Sequence, residues 1–189
     1  MTPPPSARDK ILLTAHDLFY RDGIRATGID KVIAESGVAK VTFYRHFPSK
    51  NALIMAFLEY RHQRWINWFN TALIKNGAQP GGGLAPLIPT LDEWFSNPDF
   101  RGCAFINSVA ELGGSFEEVM IISHNHKQDM RTIIANLLPE SAQRNEIADA
   151  VAIAVDGAIF RAQLTATATN KSAALQGLTI LLNAVAAHC

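Results

Sequence analysis

The chain has 189 residues, with 17 lysines and arginines against 17 aspartates and glutamates, 48% apolar residues and two cysteines. At this length roughly 70% of the extended chain's surface is buried on folding, which excludes global disorder and leaves room for one large core or a small domain joined to a larger one. No apolar run reaches the roughly 18 residues of a spanning helix, and Met1 to Asp9 lacks the charged-then-apolar order of a secretory signal. No membrane partner and a cytoplasmic location are therefore expected. Cys103 and Cys189 fit neither a disulfide framework nor a zinc knuckle, which use clustered or even-numbered sets. The zero net charge hides a split: Met1 to Arg64 holds ten basic against six acidic residues, and Trp65 to Cys189 seven against eleven. A basic first third on an acidic body points to a polyanion as partner of that third, since non-specific nucleic-acid affinity rests on phosphate neutralisation; an excess of four charges also arises by chance.

Taken in chain order, Met1 to Pro5 is a proline-rich tail, and Ser6 can cap a helix from about Ala7 to Arg21, where Ile11, Leu12, Ala15, Leu18 and Phe19 repeat at helical spacing before the stop at Asp22 and Gly23. Thr27 opens a second helix that ends at Ser36 and Gly37. Val38 leads into a third through Phe47, Pro48 ends it, and Ser49 caps a fourth, much longer helix from about Lys50 to Asn76. The glycines and Pro80 between Asn76 and Gly83 form the one clear linker. Further helices are expected around Leu84–Ser96, Cys103–Leu112, Phe116–Leu138, Gln143–Thr167 and Ser172–Ala187, the last two separated at Thr169 and Asn170. No period-two segment, repeat or βαβ pattern occurs. The chain reads as all-α with about nine helices.

Residues 27 to 47 form the strongest constellation. Two short helices meet at Ser36, Gly37 and Val38, where glycine allows the positive backbone angle of a sharp helix-to-helix turn. Ile29, Val32, Val38 and Phe43 can pack the pair together. The other face of the second helix reads Lys40, Val41, Thr42, Tyr44, Arg45 and His46: donors, a phenol and small contacts on one rod that a major groove admits. Lys50, beside free backbone N–H groups at the next helix start, can hold a phosphate. A short basic helix is also, more blandly, a solvated face.

The run Thr27, Ile29, Val32, Gly37, Val38, Thr42, Tyr44, Phe47, Ser49, Lys50, Leu53, preceded by Ala15, Leu18, Phe19 and Gly23, closely resembles the amino-terminal signature of TetR-family transcriptional regulators over about 50 residues. The resemblance implies a three-helix DNA-binding domain at residues 1–50, a helical effector-binding and dimerisation domain at 51–189, and a homodimer reading a palindromic operator. By position, Thr27, Tyr44, His46 and Lys50 would hold phosphates, while Lys40, Val41, Thr42 and Arg45 would face base edges. Many members have alanine where Ile33 and Ser36 stand and glycine where Val41 stands. The first two departures touch only the packing of the second helix, whereas Val41 places a branched side chain at a point of close DNA approach.

The body carries its own signals. The stretch Gln143–Thr167 is apolar nearly all round, and the last helix offers further leucines, so Val151, Val155, Ile159, Leu178 and Leu182 are expected at a dimeric four-helix interface; a protomer core that takes in both helices is the other reading. Trp65, Phe69, Trp94 and Phe160 put aromatic area into the body, with Cys103, Asn107 and His126 as polar candidates, as an apolar effector pocket requires. Core packing is the simpler account of each residue singly. The resemblance extends to Phe100–Glu111, and in some relatives a cysteine near there senses oxidants or electrophiles; no base or cation adjacent in sequence favours that for Cys103. His124 and His126 stand about 200° apart on a helix and cannot chelate one ion. Nor does any nucleophile-elbow or phosphate-loop context support catalysis. No metal, cofactor or enzymatic activity is expected. The sequence thus reads as a ligand-responsive transcriptional repressor with double-stranded DNA and a small apolar or aromatic effector as partners. The rival readings are a helical small-molecule-binding protein without an operator, and an activator of the same fold.

Overall fold

The computed structural model describes residues 4–164 and 168–186, so the start of the tail, the expected helix end at Thr167, and Cys189 lie outside the described residues. Among the described residues there are nine helices and no strand: α1 (Ala7–Asp22), α2 (Ile29–Ser36), α3 (Lys40–His46), α4 (Lys50–Lys75), α5 (Leu87–Ser96), α6 (Ala104–Leu112), α7 (Glu117–Leu137), α8 (Arg144–Gln163) and α9 (Ala168–Ala186). Local chemistry sets the ends. Ser6 and Asp9 form a reciprocal capping box on α1, Ser49 Oγ accepts from the Ala52 N–H at 3.1 Å to start α4, and Gly37 closes α2 in the left-handed region at φ 66°. The break expected at Thr169 and Asn170 lies inside α9, where neighbouring helix overrides two weak helix formers.

The chain forms two compact units, residues 1–63 with 104–124 and residues 64–103 with 125–189. They differ from the 1–50 and 51–189 division because α4 begins in the first unit's core: Leu53, Ile54, Phe57 and Leu58 are buried, and Phe57 meets Phe19 edge-on at 5.4 Å. The first unit is built on α1, which packs on α2 and α3 through Ile11, Ala15, Leu18 and Phe19. In the second, α8 packs on α9 and α9 on α5.

The residues expected at a dimer interface are corrected here. Val151, Val155, Ile159, Leu178 and Leu182 are all buried within the protomer, on the faces that α8 and α9 turn inward. Helix α8 carries two apolar stripes: Ala148, Val151, Val155, Ile159 and Ala162 are covered, while Ile153 is 73% exposed and shares its stripe with Gly157, Phe160 and Leu164. On α9, Gly177, Ile180 (69% exposed) and Leu181 do the same. An all-round apolar pattern identifies both stripes without saying which one the protomer uses.

A Cβ on Gly37 would meet nothing within 4 Å, so the cost of a side chain there is the backbone angle alone. Gly37→Ala is expected to lower stability by about 1 kcal/mol and Gly37→Asn by less, measured by urea unfolding.

Candidate DNA-reading head and the aromatic body site

Helix α3 is seven residues long and has no side-chain cap at Ala39. Its position depends on packing. Phe43 and Phe47 are buried, their rings 6.2 Å apart, and the Arg8 guanidinium lies 5.3 Å over Phe47. With that face inward, Lys40, Val41, Tyr44 and Arg45 are exposed, Val41 by 83%, and Thr42 and His46 half-buried. Lys40 Nζ reaches Asp30 at 3.2 Å, but both side chains are solvated, so the pair is worth little. Ser36 Oγ donates back to the Ile33 carbonyl at 3.1 Å and leaves the reading face untouched.

Two residues expected on phosphates are placed otherwise. Thr27 is completely buried; its hydroxyl donates to the Gly23 carbonyl at 2.8 Å, closing the turn between α1 and α2. Lys50 is half-buried and donates to the Ile24 carbonyl at 2.6 Å. Burial pushes its pKa down, against the opposing pull of the Glu111 carboxylate. Both side chains build the turn that seats α2. Glu111, on α6, completes it: its Oε2 accepts from the Arg25 backbone N–H at 2.7 Å, and its Oε1 lies 3.3 Å from where a Cβ on Gly23 would stand. Sequence reading missed Glu111 because 86 positions separate it from Arg25, and no local periodicity reports such a pair.

In the second unit, four residues expected at an effector pocket come together. Trp65 stacks on Phe69 at 4.6 Å, meets Trp94 at 5.4 Å and His126 at 5.1 Å. Cys103 is buried beside Lys127, whose ammonium also donates to Asp156 Oδ1 at 2.5 Å; the cation absent from the neighbouring sequence is supplied by the fold. Phe160 and Asn107 fall outside this group. Phe160 is half exposed on the outer stripe of α8, where helical phase puts it opposite the buried face. Asn107 is half-buried and belongs to the first unit. Thr90, fully buried, accepts from Asn76 Nδ2 at 3.0 Å. Among the described residues no group of three or more potential ligands could hold a metal, and no helix is long and apolar enough to cross a membrane.

A short helix fixed by two buried aromatics, its basic polar face turned outward behind a glycine turn, defines a helix-turn-helix head on a helical body. Residues 11–57 match the profile of bacterial regulatory proteins of the tetR family. The crystal structure of a TetR-family transcriptional regulator from Streptomyces coelicolor superposes with a TM-score of 0.80 at 27% identity, covering 95% of each chain. The HTH-type transcriptional regulator YerO of Bacillus subtilis is 40% identical over 53 residues, 28% of this chain and 18% of its own. The HTH-type transcriptional activator FasR of Mycolicibacterium smegmatis is 37% identical over 71 residues, 38% of this chain and 32% of its own. The match therefore spans well under two thirds of those curated relatives. Residues 11–57 thus carry a head of the tetR-family type, and the chain has the fold of TetR-family regulators of known structure.

Two outcomes follow from this geometry. Glu111→Ala should lower stability by about 1 kcal/mol and speed amide exchange at Arg25, because a backbone donor loses a charged acceptor. For Lys127, burial lowers the pKa, but Cys103 and Asp156 together carry it above the ordinary 10.5. A raised lysine pKa contributes stability fully below the ordinary value, and that contribution disappears as pH climbs through the raised one. Asp156→Asn should thus cost about 2 kcal/mol, less than a fully buried pair, with the deficit constant through neutral pH and closing only in strong alkali, as read by urea midpoints.

Proposed function

We propose that the chain is a cytoplasmic, homodimeric, effector-responsive transcriptional repressor. The observation that carries this reading is the outward polar face of α3 on a head held by its own core. Lys40, Val41, Thr42 and Arg45 would face base edges in the major groove, and Tyr44 and His46 would hold phosphates. Thr27 and Lys50 act one step back, by fixing the turn behind α2. Val41, exposed where many family members carry glycine, would contact a base edge or a thymine methyl directly.

A palindromic operator requires two heads about 34 Å apart. The stripe of Ile153, Gly157, Phe160 and Leu164 on α8, with Gly177, Ile180 and Leu181 on α9, supplies the apolar surface that two protomers would cover as a four-helix bundle. A small apolar or aromatic effector in the body would shift α4, which is continuous from Lys50 to Lys75, and change the spacing of the two heads. The shift needs only a few kcal/mol of preference for the non-binding conformer. FasR, similar over 71 residues, is named an activator; activation would use the same residues, with its sign set by where the operator lies.

Gel shifts with the gene's own upstream fragment test the reading. Salt-sensitive retention is expected; its absence leaves the rival, a helical ligand-binding protein whose ligand affinity is indifferent to DNA. Tyr44→Phe should weaken every sequence alike by about 1 kcal/mol. Lys40→Ala and Arg45→Ala should relax base preference at single positions by about 1–3 kcal/mol. Phe160→Asp should give monomers in sedimentation and lose the palindrome but keep weak half-site binding; a dimer that persists would place the interface elsewhere.

A further inference from the structure

Trp65 is only 6% exposed, and its indole N–H meets no acceptor among the described residues. A buried donor left unpaired is costly and uncommon in folded proteins. What surrounds it is aromatic: Phe69 stacked on one face, with Trp94 and His126 near edge-on. Phe69 and Trp94 offer flat apolar contact and no acceptor stronger than a π face, and the indole N–H makes no hydrogen bond to the His126 ring either. The cation next to His126 in the chain, Lys127, is already paired with Asp156 at 2.5 Å, so the unit supplies a neutral donor here rather than an uncompensated positive charge.

We propose that the Trp65 N–H is the recognition donor of the effector site, and that the effector is a neutral planar aromatic molecule bearing a hydrogen-bond acceptor such as a carbonyl oxygen. The ring packs among Phe69, Trp94 and Trp65 while its oxygen takes the indole N–H. This rests on the effector-responsive reading above and specifies the chemistry of that same site. It also sets the selectivity: a hydrocarbon of equal shape leaves the donor unpaired and binds less well.

Calorimetric titration of the full chain with matched pairs, coumarin against naphthalene and fluorenone against fluorene, reads the donor directly. The acceptor-bearing member of each pair is expected to bind about tenfold more tightly. In Trp65→Phe that preference should vanish while hydrocarbon affinity stays within roughly twofold, since the ring remains. Equal binding of both members to the unaltered chain, a preference that survives Trp65→Phe, or no binding of any of the four overturns the proposal. If Trp65→Phe does not fold, β-(3-benzothienyl)alanine at position 65, which puts sulfur in place of N–H at unchanged shape, must abolish the preference. Gel shifts on the same samples separate the two readings. Acceptor-dependent release of the upstream fragment supports the proposal, and acceptor-dependent binding without release overturns the effector role of the site. Failure of the unliganded chain to retain DNA refutes the regulatory reading while the calorimetric preference stands.

Discussion

The burial of Phe43 and Phe47 governs what the head can do. A seven-residue helix has no stability of its own, and α3 lacks a side-chain cap; it exists because two phenyl rings, each contributing about 2 kcal/mol on burial, are held in the first unit. Helical phase then leaves no choice. With Phe43 inward, Val41, Tyr44 and Arg45 must point out. Sliding the register by one residue would put Thr42 or Tyr44 in the place of Phe43 and expose a phenyl ring, so the same contact that stabilises the helix selects its reading face.

The turn ahead of α2 shows the same economy with polar groups. Thr27 and Lys50 both return hydrogen bonds to carbonyls of the 23–27 turn, and Glu111 takes the Arg25 N–H. Three side chains, one from the turn itself and two from distant stretches, thus satisfy backbone groups that a tight turn would leave without partners. A carboxylate is the fitting third member, since Lys50 brings a positive charge into a half-buried position and the Glu111 charge favours keeping it there. Residues 104–124 belong to the same compact unit as the head, and Glu111 is one reason: its contact binds α6 to the turn that seats α2.

What could be read from the chain was what is local. Helix periods, the Ser6 and Ser49 caps and the Gly37 turn are written within a few residues of where they act, and the exposed face of α3 follows from the phase of Phe43 alone. Thr27 and Lys50 carry the same side chains whether they face a phosphate or a carbonyl, so residue type could not assign them. The two stripes of α8 are both apolar, and only the packing of α9 shows that Val151 and Val155 face inward while Ile153 and Phe160 face out. Glu111 with Arg25, and Cys103 with Lys127, are pairings over long sequence separations. No window of local pattern contains both partners.

The second unit treats its buried polar groups unevenly, and the unevenness has physical content. Thr90 has Asn76 and Lys127 has Asp156, which is what burial demands of a hydroxyl and a charge. Among the described residues two side-chain atoms buried without a partner stand apart, Ser123 Oγ in the first unit and Trp65 Nε1 in the second. A serine hydroxyl turns on a single bond and its hydrogen can follow the best available oxygen. An indole N–H cannot: its direction is fixed by a ring that stacks on Phe69 and abuts Trp94 and His126. Had this cluster served packing alone, phenylalanine would fill position 65 without stranding a donor. A fixed donor among flat faces is instead the arrangement that holds one polar atom of an otherwise apolar guest, and it persists because neighbouring packing stabilises the unit enough to carry it.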